Sequence, residues 1–183
     1  MKIALSLVVG ITGAALCFAA AESRVSRASI LAVERMINEK INAYSIDPYR
    51  PLGDARGTYL EGYGVLFTNE LELINIGALT LTPFKPTISK EEVAGIHERK
   101  LKKLAELKDA MRTLMMNASE TLEGLPPNEH VAMEAILFSH SWEITRDMPH
   151  RVFMSAEKQQ LLDAKASHAG QTELAAFIEE QER

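Results

Sequence analysis

Histidine recurs at ten-residue intervals, at His130, His140 and His150, and Glu143 and Asp147 lie between the last two. A zinc-like ion needs three or four nitrogen or oxygen ligands that converge on one point. Along an extended strand His130 lies more than about 30 Å from His140, so those two cannot share an ion. A hairpin over 130–155 would instead bring His140 and His150 together across its turn. We therefore take His140, Asp147 and His150 as candidate metal ligands, although the HExxH spacing is absent.

The same segment holds two serines, Ser139 and Ser141, on either side of His140. Neighbouring residues of a strand point to opposite faces, so neither serine can pair with His140 if the segment is extended. The GxSxG turn that exposes a nucleophilic serine in many hydrolases is also absent. The sequence therefore does not predict a Ser–His–Asp triad here.

Two carboxylates, Glu70 and Glu72, fall two residues apart in a segment that alternates polar and apolar residues. Strand spacing puts both on one face, about 6.5–7 Å apart. Carboxylates at this distance can carry out acid–base chemistry or bind a cation. The same alternation is typical of a half-exposed strand with no function. Both interpretations stay open.

Three lysines, Lys100, Lys102 and Lys103, form a basic run in a segment with helical periodicity. Such a run can contact an acidic partner or anionic headgroups. Acidic residues, among them Glu98 and Glu106, interleave with the run, so a solvated and salt-bridged helix face also fits. We keep the three lysines as candidate partner-binding residues.

The first 21 residues have the layout of a secretory signal. Lys2 precedes an uncharged run that ends in three alanines before Glu22. We predict cleavage after residue 21 and export to the periplasm or the exterior of a bacterial cell. Cys17 is the only cysteine, so the mature chain 22–183 would have no disulfide and no thiolate chemistry. No further run of about 18 uncharged apolar residues follows, so no membrane span is expected after cleavage.

The composition is that of one ordinary globular domain. Of the 183 residues, 46% are hydrophobic and 25% are charged, which argues against wholesale disorder and against several membrane spans. The net charge is −5, so there is no basic excess to neutralise the phosphates of a nucleic acid. The glycines between Gly53 and Gly64 do not open a helix, as a phosphate cradle requires, and we expect no cofactor.

Hydrophobic periodicity predicts the main elements. A spacing of three and four residues predicts an amphipathic helix over 24–44, and a capping box at Ser89 begins a long helix that reaches Glu123. Alternation predicts one long strand or two shorter ones over 58–73. Within it, Gly62 and Gly64 indicate a bulge or a close backbone approach.

The C-terminal half is less regular. Residues 130–144 combine helix-favouring composition with alternation, and we predict a strand there. A short strand over 150–155, a helix over 156–168 and a last short helix or tail over 172–182 follow. Residues 45–57 and 74–88 are predicted to be loops. The order α–β–α–β–β–α predicts a single α+β domain with helices packed on a small, mostly antiparallel sheet.

Two stretches, GYGVLFTNELEL at 62–73 and RDMPHRVFMSAEKQQLLD at 146–163, resemble a pattern of exported bacterial proteins to which no activity is attached. The resemblance covers about a fifth of the chain. It supports the predicted strand and the predicted export, and it implies no functional residue.

These observations favour an exported, non-enzymatic interaction domain that acts through the long amphipathic helix or a sheet edge. Its partner would be an envelope protein or a second copy of the chain. The alternative is a small hydrolase or a metal-binding protein that uses His140, Asp147 and His150 or the pair Glu70 and Glu72. The sequence leaves enzymatic activity open.

Overall fold

The computed structural model describes residues 25–42, 49–75 and 88–183. The predicted signal peptide, Cys17 and parts of both predicted loops lie outside these ranges.

The two predicted amphipathic helices are present. Helix α1 spans Arg27–Ile41, and its N-cap Ser26 accepts a hydrogen bond from the backbone N–H of Ser29. Helix α2 spans Lys90–Thr121 and begins with the predicted capping box, in which Ser89 and Glu92 each accept a hydrogen bond from the other's backbone N–H. The prediction from Ser89 to Glu123 is thus confirmed to within two residues at the C-terminal end.

The first strand, β1, is short (Arg50–Pro51) and lies before the region predicted to be extended. The predicted strand over 58–73 consists of two strands, β2 (Arg56–Leu60) and β3 (Gly64–Glu72), which form a hairpin whose turn contains Gly62. Gly64 has a φ of +137°, and a Cβ built there would lie 1.9 Å from the carbonyl oxygen of His130. The close backbone approach predicted at this glycine is confirmed.

The remaining elements are β4 (His130–Leu137), β5 (Arg151–Glu157), α3 (Lys158–Ala166), α4 (Gln171–Phe177) and β6 (Glu179–Glu182). Strand β4 ends at Leu137, so the prediction of a strand as far as residue 144 is wrong for its second half. The last predicted helix, over 172–182, is present as α4, but its final residues form strand β6, which was not predicted.

The six strands form one sheet in the order β1–β3–β4–β5–β6, and β2 also pairs with β3. Because β4 occupies one side of β3, β1 and β2 share the other side. Strands β3 and β4 are parallel, and the long helix α2 makes the crossover between them; the other pairs are antiparallel. The predicted class, helices on a mostly antiparallel sheet in a single α+β domain, is confirmed.

The hydrophobic core joins all four helices to the sheet. Helix α2 contributes buried residues along most of its length, from Ile96 to Ala118, and it contacts the other three helices as well as β4 and β5. The apolar stripe of α2 is therefore used inside the protein. Within the described ranges, no helix combines the length and the apolar character needed to cross a membrane.

Helix α1 covers the outer edge of β2. The carboxylate of Glu34 accepts a 2.8 Å hydrogen bond from the backbone N–H of Gly57. The side-chain oxygen of Asn38 accepts a 2.8 Å hydrogen bond from the backbone N–H of Ala55. These N–H groups would otherwise be open to another strand. This edge of the sheet is thus blocked at two positions by side chains of the chain itself.

Candidate functional site

The carboxyl ends of the two parallel strands lie side by side and bring distant polar residues together. Glu72 is the last residue of β3, and His140 follows β4 by three positions. The backbone N–H of Phe138 donates a 3.0 Å hydrogen bond to the carbonyl of Leu71, so the chain after β4 passes directly beside the end of β3. The carboxyl edge of parallel strands is where α/β sheets commonly bind ligands.

Glu72 is the most deeply buried carboxylate of this group, at 1% exposure. Its Oε1 accepts a 3.0 Å hydrogen bond from Nη1 of Arg50 and lies 3.3 Å from Nε2 of His140. Its Oε2 is buried and has no hydrogen-bond partner among the described residues. Burial of a charged oxygen without a full set of partners is costly, and such groups concentrate at functional sites.

Two aromatic rings hold the imidazole of His140. The ring of Trp142 stacks on it with centroids 5.4 Å apart, and the ring of Phe138 meets it edge-on at 5.1 Å. The side chain remains 33% exposed. The carboxylate next to Nε2 favours the tautomer with the proton on that nitrogen, which leaves the lone pair of Nδ1 as an acceptor.

A buried ion pair fixes the loop that carries His140. Lys100 of α2 pairs with Glu143, and each side chain is only 3% exposed. The other oxygen of Glu143 accepts a 3.1 Å hydrogen bond from the backbone N–H of His140. Helix α2 therefore sets the position of the His140 backbone through Glu143.

The predicted metal ligands do not converge. Asp147 is exposed in a left-handed conformation with φ of 58°, and the exposed His150 lies beside the C-terminus, with its backbone N–H bound to the carbonyl of Arg183. Within 25–42, 49–75 and 88–183, no three His, Cys, Asp or Glu side chains could hold one ion. The prediction is corrected because β4 ends at Leu137, after which the chain turns His140 towards β3 and Glu72.

The carboxylate pair has two different environments. Glu70 is exposed, as expected for a solvated strand face, but Glu72 is buried. Ser139 and Ser141 lie outside the strand, and no hydrogen bond between either serine and His140 is found in the described part of the chain. The structure thus joins one member of the predicted carboxylate pair to one of the predicted histidines.

The three candidate partner-binding lysines do not form one exposed patch. Lys100 is buried against Glu143, so its role as a surface contact is corrected. Lys103 pairs with Glu106 at 2.8 Å, and its Nζ lies 5.1 Å from the ring centroid of Tyr49. Lys102 is exposed, and partner binding by it stays a prediction.

The chain matches no family model, no curated protein and no solved structure. The resemblance of residues 62–73 and 146–163 to exported bacterial proteins stays a prediction.

Proposed function

We propose that this chain is a small hydrolase in which His140 acts as the general base. The observation that carries the proposal is the 3.3 Å contact between Glu72 Oε1 and His140 Nε2, with the imidazole partly exposed. A carboxylate behind an imidazole is the arrangement that orients the base in many hydrolases. Contacts of this kind are often long before the substrate binds.

The expected chemistry assigns a separate role to each side chain. Nδ1 of His140 takes a proton from a water molecule as the water oxygen attacks the carbonyl carbon of an ester. The bond from that carbon to the leaving oxygen then breaks, and the imidazolium returns the proton to the leaving oxygen. Glu72 stabilises the imidazolium that forms. Arg50 donates only one of its five N–H groups to Glu72 and is 46% exposed, so it can bind an anionic group of the substrate.

The exported interaction domain favoured by the sequence has less support. That hypothesis uses the long amphipathic helix or a sheet edge as the contact surface, but the apolar stripe of α2 is packed in the core. One of its three proposed contact residues, Lys100, is buried. The hydrolase proposal uses residues that the fold brings together at one edge.

The test is hydrolysis of two matched chromogenic esters, p-nitrophenyl acetate and mono-p-nitrophenyl succinate, by the mature chain. We expect turnover of both, with preference for the succinate because of its free carboxylate. H140Q should reduce kcat by about 10²–10⁴-fold, the range of general-base catalysis. R50Q should slow both esters, since Arg50 also donates to Glu72, but it should raise KM for the succinate more than for the acetate and so remove the preference for the succinate.

The matched control is H150Q, which removes an exposed imidazole from the same hairpin. Surface imidazoles hydrolyse activated esters slowly without any site, so H150Q reports this background. The hydrolase proposal fails if H140Q and H150Q lower the rate equally, or if the wild-type chain is no faster than an equal concentration of free imidazole.

We also propose that the chain is exported and cleaved after residue 21. The support is the charged start, uncharged run and small-residue end of the signal-like sequence. Expression of the full chain in a bacterium, followed by fractionation and N-terminal sequencing, tests this. We expect a periplasmic product that begins at Glu22, whereas an intact cytosolic chain would contradict it.

A further inference from the structure

The two side edges of the sheet differ in how their backbone groups are covered. At one edge, side chains of α1 accept hydrogen bonds from β2, and the two-residue β1 includes Pro51, which has no N–H to donate. At the other edge lies β6 (Glu179–Glu182), and all four of its residues are exposed. Within the described ranges, the backbone of β6 has no hydrogen-bond partner on its outer side. This edge is open to a further strand.

The pairing of β6 with β5 shows which backbone groups face outwards. Arg183 and Arg151 exchange two hydrogen bonds between their backbone groups, of 3.0 and 3.1 Å. In an antiparallel ladder, pairs that exchange hydrogen bonds alternate with pairs whose backbone groups point away from each other. The register therefore turns the N–H and C=O groups of Glu180 and Glu182 away from β5. These groups are available to an incoming strand.

We propose that β6 pairs antiparallel with β6 of a second copy of the chain, so that the two sheets join across a two-fold axis at Gln181. In this register Glu180 lies opposite Glu182 of the second copy, and each such pair exchanges two backbone hydrogen bonds. Every outward N–H and C=O group of the two residues then has a partner. A register shifted by two residues would pair either Glu180 or Glu182 with its own equivalent and leave the other without a partner inside β6.

The charges on the sheet face away from α2 favour this register. The side chain of Glu180 contacts α2, so the side chains of Glu179, Gln181 and Arg183 point to the opposite face. Across the axis, Glu179 of each copy lies opposite Arg183 of the other, which gives two cross-strand pairs of opposite charge. The two Gln181 amides meet at the axis, where each can donate to and accept from the other.

The acidic residues on the α2 side carry their own counter-charges. Glu180 and Glu182 approach the same residues of the second copy, which alone would repel. Lys108 of α2 binds both carboxylates of its own copy, and Arg112 binds Glu180 at 2.7 Å. The new contact therefore adds a cation with each carboxylate that it brings in, and the two faces of the edge are both compatible with self-pairing.

The contact is small, so we expect a weak dimer. One short strand from each copy buries less than the roughly 1,200 Å² of ordinary stable interfaces, which predicts a dissociation constant on the order of 10–100 µM. Sedimentation velocity of the mature chain, at concentrations from well below to well above this range, measures it. In ¹⁵N–¹H spectra over the same range, the amide protons of Glu180 and Glu182 should shift. That of Gln181 should shift less, because it already donates to β5.

A matched pair of variants isolates the backbone contact. E182P removes an outward N–H and places a ring at the edge, but it removes no hydrogen bond to β5, so it should abolish dimerisation. E182A loses the same carboxylate and keeps the N–H. We expect its dissociation constant to stay within about threefold of wild type.

A charge exchange tests the register. E179R turns two attractive pairs into two repulsive ones and should raise the dissociation constant about tenfold. The double variant E179R/R183E restores opposite charges across the axis and should recover the wild-type value. The control is E39R, which makes the same change of charge at an exposed position of α1 and should have little effect.

Several results would overturn the proposal. These are a monomer at every concentration, a dimer that persists in E182P, equal effects of E179R and E39R, or no recovery in E179R/R183E. The charge exchange leaves the backbone unaltered and keeps the test decisive if E182P detaches β6. Self-association through this edge does not involve the His140 site, so loss of ester hydrolysis in H140Q leaves the proposal untouched.

Discussion

Nζ of Lys100 and Oε2 of Glu143 form an ion pair inside the protein, although the two residues lie 43 positions apart on a helix and a loop. The pair connects α2 to the segment that carries His140. The ion pair thus joins the crossover helix to the candidate site.

We expect K100M to destabilise the protein by about 3 kcal/mol, because it leaves the charge of Glu143 buried and unpaired. The double variant K100M/E143L removes both charges and should recover part of that loss, but not all of it, because E143L also removes the acceptor of the His140 backbone N–H. Urea unfolding of the three proteins measures these differences. The control is K102M, an exposed neighbour whose effect should stay within about 0.5 kcal/mol. An equal effect of K100M and K102M would contradict the buried pair.

The helices could be predicted because each has a strong local signal. The spacing of Ile30, Val33, Ile37 and Ile41 marks the buried face of α1, and the capping box of Ser89 and Glu92 marks the start of α2. The end of β4 had no comparable signal, since the alternation of residue types continues past Leu137. Strand β6 is polar throughout and is fixed by its pairing with β5 and by contacts from α2, which no local pattern reveals.

The candidate site was predicted only in fragments. His140 and Glu72 were each recognised, but in separate hypotheses, because their contact depends on the parallel pairing of β3 with β4. A long helix between two strands is typical of a parallel crossover, and this signal was available in the sequence. It would have placed both residues at one edge. The pairing of Lys100 with Glu143 had no such signal, since a lysine within a basic run resembles its exposed neighbours.

A second prediction concerns the tight approach of Gly64 to β4. G64A should destabilise the protein by about 3 kcal/mol or more, because the new Cβ would overlap the backbone carbonyl of His130 and because φ of +137° is unfavourable for alanine. The matched control is G95A, at an exposed and open position of α2, which should stabilise by up to about 1 kcal/mol. Thermal and urea unfolding would show the opposite signs, and a G64A protein as stable as wild type would refute the close packing.

A third prediction concerns Lys158, which closes the C-terminal end of α2. Its buried ammonium donates hydrogen bonds to the carbonyls of Leu122 and Leu125, at 2.8 and 2.9 Å. K158M keeps the apolar part of the side chain but removes the ammonium donor from both carbonyls, of which that of Leu122 keeps only the backbone N–H of Leu125, so we expect a loss of about 2 kcal/mol. K165M, in the same helix α3, breaks only partly exposed contacts with Asn117 and Glu120 and should cost less than about 1 kcal/mol. Urea unfolding compares the two, and equal losses would refute the capping role.

The last prediction concerns the pH dependence of the C-terminal strand β6. Its Glu180 pairs with Lys108 and Arg112 of α2, at 2.9 and 2.7 Å. Burial alone would raise the pKa of Glu180, but the two cations outweigh it and lower that pKa below its ordinary value. The folded state therefore holds the proton of Glu180 less tightly than the unfolded state. The ion pairs of Glu180 therefore stabilise the folded state fully above the ordinary carboxyl pKa, about 4.3. This stabilisation is lost as the pH falls through the lower pKa that Glu180 has in the folded state.

We expect β6 to loosen from the sheet in acid before the rest of the domain unfolds. The measurement is the ¹⁵N–¹H heteronuclear NOE of residues 179–182 between pH 7 and pH 3, with β4 as the internal reference. E180Q should show the loosened state already at neutral pH. E179Q, which alters an exposed neighbour with no ion pair among the described residues, should behave as wild type. Equal rigidity of β6 at both pH values would mean that its pairing with β5, and not the ion pairs with α2, holds the strand in place.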